Sequence, residues 1–203
     1  MDQLSKDNIE EIIPDLADKF KYTSNLLNNL LNWAKSQLDG YKVIPEKFNL
    51  QTILTENISL LSEQASEKNI SIENKADHEI PVYADKNMIS LVLLNLLSNA
   101  IKFTKKNSSI RIWAEDKESE IQFFIKDNGI GIPEEKLKLL FEETSFYTTK
   151  GTNNEKGTGL GLILSKDFIS RNKGTLQAKS EVGEGSVFSF TLSKTEENFQ
   201  TSE

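Results

Sequence analysis

The stretch Asn95-Leu96-Leu97-Ser98-Asn99-Ala100-Ile101-Lys102-Phe103-Thr104 closes an apolar run that begins at Met88. Ile89, Val92, Leu93, Leu96, Leu97, Ala100 and Ile101 recur at three- and four-residue steps, the stripe of a buried helix. Asn95 and Asn99 stand at i and i+4, so their carboxamides share one side of that helix, with Lys102 a turn further on. Asparagine is a mediocre helix former and costs free energy when buried without partners. Two of them aligned in an apolar helix point to something polar to be held. The plainer alternative is a pair of amides capping neighbouring loops.

Two motifs downstream bear on that choice. Asp127-Asn128-Gly129-Ile130-Gly131-Ile132-Pro133 follows the strand-like Ile121-Gln122-Phe123-Phe124-Ile125, and Gly157-Thr158-Gly159-Leu160-Gly161-Leu162 opens another helical segment. An Asp-x-Gly-x-Gly turn alone is weak, since many strand-to-loop turns look alike, and a glycine run alone reads equally as a flexible linker. In this order, after the Asn95 helix, the set is specific. It resembles the nucleotide-binding site of the histidine kinase catalytic domain, a branch of the superfamily that includes DNA gyrase, Hsp90 and MutL. The resemblance covers roughly residues 46 to 193.

Composition narrows the partners. The 203 residues are 37% hydrophobic and 27% charged, enough for one compact domain plus a sizeable extra element. A formal net charge of −7 disfavours a nucleic-acid surface, which needs concentrated Lys and Arg. Arginine occurs only at Arg111 and Arg171, so cationic contacts to phosphate fall mainly to lysine. The absence of cysteine excludes disulfides and cysteine metal sites and sits comfortably with a reducing cytosol. No apolar run approaches the roughly 20 residues of a membrane span, and no signal peptide heads the chain. A cytoplasmic location without direct membrane contact is expected, although the parent protein could be anchored elsewhere.

Working outward, residues 7–39 carry Ile9, Ile13, Leu16, Phe20, Leu27, Leu30, Leu31, Ala34 and Leu38 at helical spacing, with Gly40 as a stop. Pro14 would kink this helix or mark its effective start. At about 1.5 Å per residue it would be a rod of roughly 45–50 Å. Its apolar face wants a partner helix, the alternative being to pack on its own domain. Asn25 to Ala34 is similar to the end of the second helix of the kinases' dimerisation and phosphotransfer hairpin. The family's acceptor motif, a histidine followed by an acidic residue and then a proline, is absent. The single histidine, His78, lies in a polar stretch between strand-like segments and reads as a loop residue.

The organisation expected is therefore a second hairpin helix over residues 1–40, a catalytic domain over 41–195 and a disordered tail over 196–203, with the acceptor-histidine helix elsewhere in a longer parent. Within the domain, Lys42 to Asn49 reads as a connector with an edge strand near Phe48-Asn49-Leu50. Gln51 to Glu67 reads as one amphipathic helix, and Ser71–Glu73 and Val82–Ala84 as strands. Asp85 is a good N-cap for the Asn95 helix. Ile110–Ala114 with Ile121–Ile125, and Thr175–Lys179 with Val187–Leu192, alternate as hairpins. The fold class is α/β, a two-layer α/β sandwich of the Bergerat type, its mixed sheet covered by helices on one face and preceded by the long N-terminal helix.

The resemblance implies ATP and Mg²⁺ as cofactors. It implies that Asn99 holds the metal bridging the triphosphate, Mg²⁺ preferring hard oxygen ligands. Lys102 would meet phosphate oxygens as a point charge, and Phe103 would pack beside the nucleotide. Asp127 would read the adenine amine, with Gly129, Gly131 and Ile132 forming the turn beneath the base. Gly157, Thr158, Gly159, Leu160, Gly161 and Leu162 would present backbone amides to the phosphates at a helix N-terminus. Between the glycine turns, Phe141 to Lys156 matches the ATP lid, from which Lys150 or Lys156 would reach the γ-phosphate. Asn95 stands where hydrolysing relatives usually carry a glutamate. An amide has no useful basicity near neutral pH, so transfer is favoured over hydrolysis.

The leading expectation is a sensor histidine kinase's ATP-binding catalytic domain. It would pass the γ-phosphate to a histidine and thence to a response regulator receiver domain, with the full-length parent a homodimer. Three alternatives stay open: a degenerate kinase that binds nucleotide without transfer, an ATPase in the manner of MutL, and a serine-directed relative such as an anti-sigma-factor kinase.

Overall fold

A computed structural model describes residues 42–140, 149–153, 155 and 157–199, together with Leu27. The chain divides into two compact units, Met1–Tyr41 and Lys42–Glu203, and the fold concerns the second. The helix expected over residues 7–39 lies outside the described residues, apart from Leu27, which is helical and exposed. Most of the lid over Phe141–Lys156 lies outside them as well.

The order is β1 (Glu46–Asn49), α1 (Leu50–Leu60), α2 (Ser62–Glu67), β2 (Ser71–Asn74), β3 (Pro81–Ala84), α3 (Lys86–Phe103), β4 (Ser109–Asp116), β5 (Glu120–Asp127), α4 (Glu134–Leu137), α5 (Gly161–Arg171), β6 (Leu176–Glu181) and β7 (Gly185–Ser193). Five strands form a sheet in the order β2-β4-β5-β7-β6, while β1 and β3 pair apart as a two-stranded sheet. β2 runs parallel to β4 and every other pairing is antiparallel, so the sheet is mixed, as strands interleaved with helices imply.

Parity decides which side chains reach the core. On β5, Ile121, Phe123, Ile125 and Asp127 are buried on one face, while Gln122, Phe124 and Lys126 point the other way. Ile110 and Ile112 of β4 and Phe188, Phe190 and Leu192 of β7 join the buried face. The helices cover it. Met88, Ile89, Val92, Leu93, Leu96, Leu97, Ala100 and Ile101 of α3 are all buried, each contributing about 1.5–3 kcal/mol for the larger side chains. Ile163, Leu164, Phe168 and Ile169 of α5 and Leu50, Ile53 and Leu54 of α1 complete the layer. On the opposite face Trp113 stacks on its register partner Phe124, ring centroids 4.7 Å apart.

Asp85 caps α3 as its type predicts, one carboxylate oxygen accepting from Asn87 and Met88 N–H and the other from Ile44 N–H at 3.0 Å. Its own N–H donates to Oδ1 of the fully buried Asn172 at 2.6 Å, which ties α3 to the end of α5.

Three expectations need correction. The helix over Gln51–Glu67 is two helices, broken at Leu61. Thr55 and Asn57 each bond the carbonyl four residues back, and Ser62 bonds Ser59, a competition with the backbone that bends helices. The turn brings both Leu61 and Ala65 into the core. Leu50 does not extend the first strand but opens α1, because Asn49 caps that helix through Gln51 N–H. The tail is not wholly loose: Glu196–Phe199 form a 3₁₀ turn, and Phe199 meets Tyr83 edge-on at 5.5 Å. Residues 200–203 lie outside the described residues.

Candidate nucleotide site

β5 delivers Asp127 to the core side at its last position, and the residue is 3% exposed. One oxygen, Oδ1, accepts from the N–H of Gly129 at 2.9 Å and of Ser186 at 3.2 Å. Burial pushes the carboxyl up to about 6, against the pull of those hydrogen bonds and of Lys126. Both backbone bonds fall on Oδ1, and Ser186 also bonds the carboxylate through its side chain.

Beyond it the chain turns under two constraints. A Cβ on Gly129 would stand 2.4 Å from Phe103 O, and one on Gly131 would stand 2.0 Å from Glu181 O, at a φ of +69° that side chains disfavour. Ile132 N–H donates to Ser180 Oγ at 2.8 Å, and Ser180 is also 2.9 Å from Ser186 Oγ. Ser180 and Ser186 were not marked by the sequence as site residues. They arrive from β6 and β7, and only the strand register brings them to the Asp127 turn.

The polar edge of α3 faces the second glycine turn. Asn95 Nδ2 reaches Gly161 O at 3.5 Å, a long contact, and a Cβ on Gly161 would stand 3.4 Å from Asn95 Oδ1. Asn99 is half-buried one turn on, and its carboxamide has no hydrogen-bond partner among the described residues. Lys102 is half-buried, its Nζ 4.7 Å from the Phe103 ring centre and 2.6 Å from where a Gly157 Cβ would stand. Burial lowers the Lys102 pKa, Glu155 opposing and Lys68 adding to the shift. The same helix end grips the first turn: Ile130 N–H donates to Phe103 O at 3.2 Å, and Thr104 bridges Gly129. Both glycine turns therefore meet on α3.

At α5, Leu160 N–H donates to Thr158 Oγ1 at 3.3 Å, and no side chain caps the helix that starts at Gly161. The amides there are available to an anion. Gly159 adopts φ +77°. Leu162 and Leu160 are half-buried, and Lys150 is exposed. Lys156 lies outside the described residues, so the choice between the two lid lysines is not made by geometry. No group of three His, Cys, Asp or Glu side chains among the described residues is placed to hold a metal ion. Asn99 offers one neutral oxygen, which suits a Mg²⁺ ion whose other ligands are phosphate oxygens and water.

One further side chain escaped the sequence. Lys68, 3% exposed, donates to Ile101 O at 2.9 Å, Lys102 O at 2.8 Å and Thr152 Oγ1 at 2.8 Å, and pairs with Glu155 at 2.7 Å. Burial pushes the Glu155 carboxyl up, but the Lys68 ammonium and the Asn153 N–H outweigh it and hold it below the ordinary range.

The family described as histidine kinase-, DNA gyrase B-, and HSP90-like ATPase matches residues 84–196, which hold α3 and both glycine turns. The chain belongs to this family. Sensor protein SrrB of Staphylococcus aureus is 32% identical over 191 residues, covering 94% of this chain and 33% of SrrB. Hybrid signal transduction histidine kinase B of Dictyostelium discoideum is 35% identical over 177 residues, covering 84% of this chain and 9% of that protein. The chain thus spans a third or less of these relatives. The catalytic domain of histidine kinase ThkA superposes with a TM-score of 0.67 at 32% identity, covering 76% of this chain and 99% of that domain. ThkA in complex with response regulator protein TrrA shares the fold at a TM-score of 0.76 and 24% identity, over 97% of this chain and 54% of that one. The α/β unit is accordingly an ATP-binding catalytic domain of the histidine kinase class, and Asp127, α3 and the Gly157–Gly161 turn occupy its matched region. No helix among the described residues is long and apolar enough to cross a membrane.

Proposed function

We propose that this domain binds Mg·ATP between its two glycine turns and transfers the γ-phosphoryl group to a histidine of the parent kinase's dimerisation hairpin. The observation that carries this is the meeting of both turns on α3, Asn95 at Gly161 and Phe103 at Ile130. The Asp127 carboxylate accepts from the adenine amine, while Gly129 and Gly131 allow the backbone beneath the base. Asn99 holds Mg²⁺, which supplies charge neutralisation at the triphosphate. Lys102 lies along the phosphates, and the amides at the start of α5 complete the cradle. An imidazole nitrogen of the acceptor attacks the γ-phosphorus, the bond to the β–γ bridging oxygen breaks, and ADP leaves.

Asn95 cannot take a proton from water, so the domain holds ATP for a protein acceptor instead of hydrolysing it. His78 is exposed in the loop between β2 and β3, its carbonyl accepting from Asn49 Nδ2, and is not carried on a helix. The partners that follow are the acceptor helix, the receiver domain of a response regulator, as ThkA is complexed with response regulator protein TrrA, and a second copy of the parent. Incubation with γ-labelled ATP, Mg²⁺ and a separately supplied kinase hairpin should place acid-labile label on the hairpin histidine. Free phosphate released at the same rate with and without the hairpin would favour an ATPase.

A further inference from the structure

The end of α3 that carries Lys102 is held by a side chain that no ligand can reach. We propose that Lys68 is a positioning residue for the triphosphate end of the site, fixing Thr152 and Glu155 on the C-terminal end of α3 and thereby placing Lys102 and the Gly157 turn. The proposal rests on the nucleotide-site reading above.

Lys68 follows directly on α2. Its ammonium meets Ile101 O and Lys102 O, two of the last carbonyls of α3, which have no helical partner. A cation there also sits at the negative end of the helix dipole. The remaining contacts are to Thr152 Oγ1 and Glu155, so its three N–H groups are taken up by the protein. A buried charge is tolerated only when paired in this way. Its effect on a ligand must therefore pass through its neighbours.

Those neighbours lead to the phosphates. Thr152 N–H donates to Lys102 O at 3.0 Å and Thr152 Oγ1 to Thr104 O at 2.8 Å, so this residue lies along the helix end. Glu155 closes its own turn, accepting Gly151 N–H on its carbonyl at 2.9 Å and Asn153 N–H on its carboxylate at 2.7 Å. Two residues later comes Gly157, against Lys102 Nζ. Lys68 and Glu155 also set opposing fields on Lys102. Removing the ammonium frees the turn that carries Gly157 and leaves Glu155 without its counter-charge. The Asp127 carboxylate makes no contact with Lys68 and is held by Gly129 and Ser186 N–H, so the adenine end, whose turn also rests on Phe103 and Thr104, is affected less.

Binding of Mg·ATP and of adenosine to the full chain, each followed by NMR titration, separates the two ends of the site. Lys68→Met should weaken Mg·ATP about tenfold or more and adenosine less than about twofold, with Lys68→Arg recovering most of the difference. Glu155→Gln, which removes the counter-charge and keeps one acceptor oxygen, and Thr152→Val should each weaken Mg·ATP selectively by about threefold, and they carry the test should Lys68→Met fail to fold. An unchanged ratio of the two affinities in the folded variants would overturn the proposal while leaving the site intact. Failure of the unaltered chain to bind either ligand would instead remove the site reading and the proposal with it.

Discussion

Asp127 lies on the core side of β5 because strand side chains alternate, and Ile121, Phe123 and Ile125 fix the parity. The same parity exacts a cost, since the carboxylate loses water and its value rises from 3.8 to about 6. Between those two values the folded chain holds a proton that the unfolded chain has lost. This group's contribution to stability is thus greatest in acid and falls as pH rises towards about 6. Ligand binding runs the opposite way, because only the ionised oxygen accepts well from an amine. Adenosine affinity, read with no phosphate to titrate, should fall severalfold on acidification from about pH 7 to about pH 5. Asp127→Asn retains Oδ1 for Gly129 and Ser186 but places an amide donor at the other position. It should fold and bind adenine nucleotides about ten- to a hundredfold more weakly, without the pH dependence. Undiminished binding would argue against the pocket.

At the scale of elements, the site is two glycine turns held on one helix. Gly131 and Gly183 both adopt positive φ, but a Cβ on Gly131 meets the Glu181 carbonyl whereas nothing lies within 4 Å of one on Gly183. Gly183→Ala should cost about 1–2 kcal/mol of backbone strain. Gly131→Ala adds a collision with backbone and should cost more than about 3 kcal/mol, measured by denaturant unfolding. Equal costs would show that the Gly131 turn relaxes freely. The elements themselves were largely legible. Periodicity gave α3 and its buried stripe, side-chain chemistry gave Asp85 as its cap, and alternation gave β4, β5 and β7. The break at Leu61 was hidden because the apolar spacing of Gln51–Glu67 runs through it, and the hydrogen bonds that bend it come from Thr55, Asn57 and Ser62, which look like ordinary surface positions.

For the whole molecule, legibility followed distance along the chain. Asn95, Asn99, Lys102 and Asp127 belong to short motifs, and α3 brings them together with the glycine turns. Lys68 and Ser186 carry no local signal: Lys68 reads as a solvated lysine after a short helix, and tertiary packing alone buries it beneath residues 33 to 87 positions later. Phosphoryl transfer asks a protein for position and charge more than covalent chemistry, and on the proposed reading these distant side chains supply position. The proposed function requires a competent Mg·ATP site that awaits an acceptor other than His78. Incubating the chain alone with Mg²⁺ and γ-labelled ATP, while following bound nucleotide, protein label and free phosphate, tests it most directly. Bound ATP, unlabelled protein and negligible phosphate release are expected on that reading. Acid-labile label on His78 would contradict it, as would steady release of phosphate.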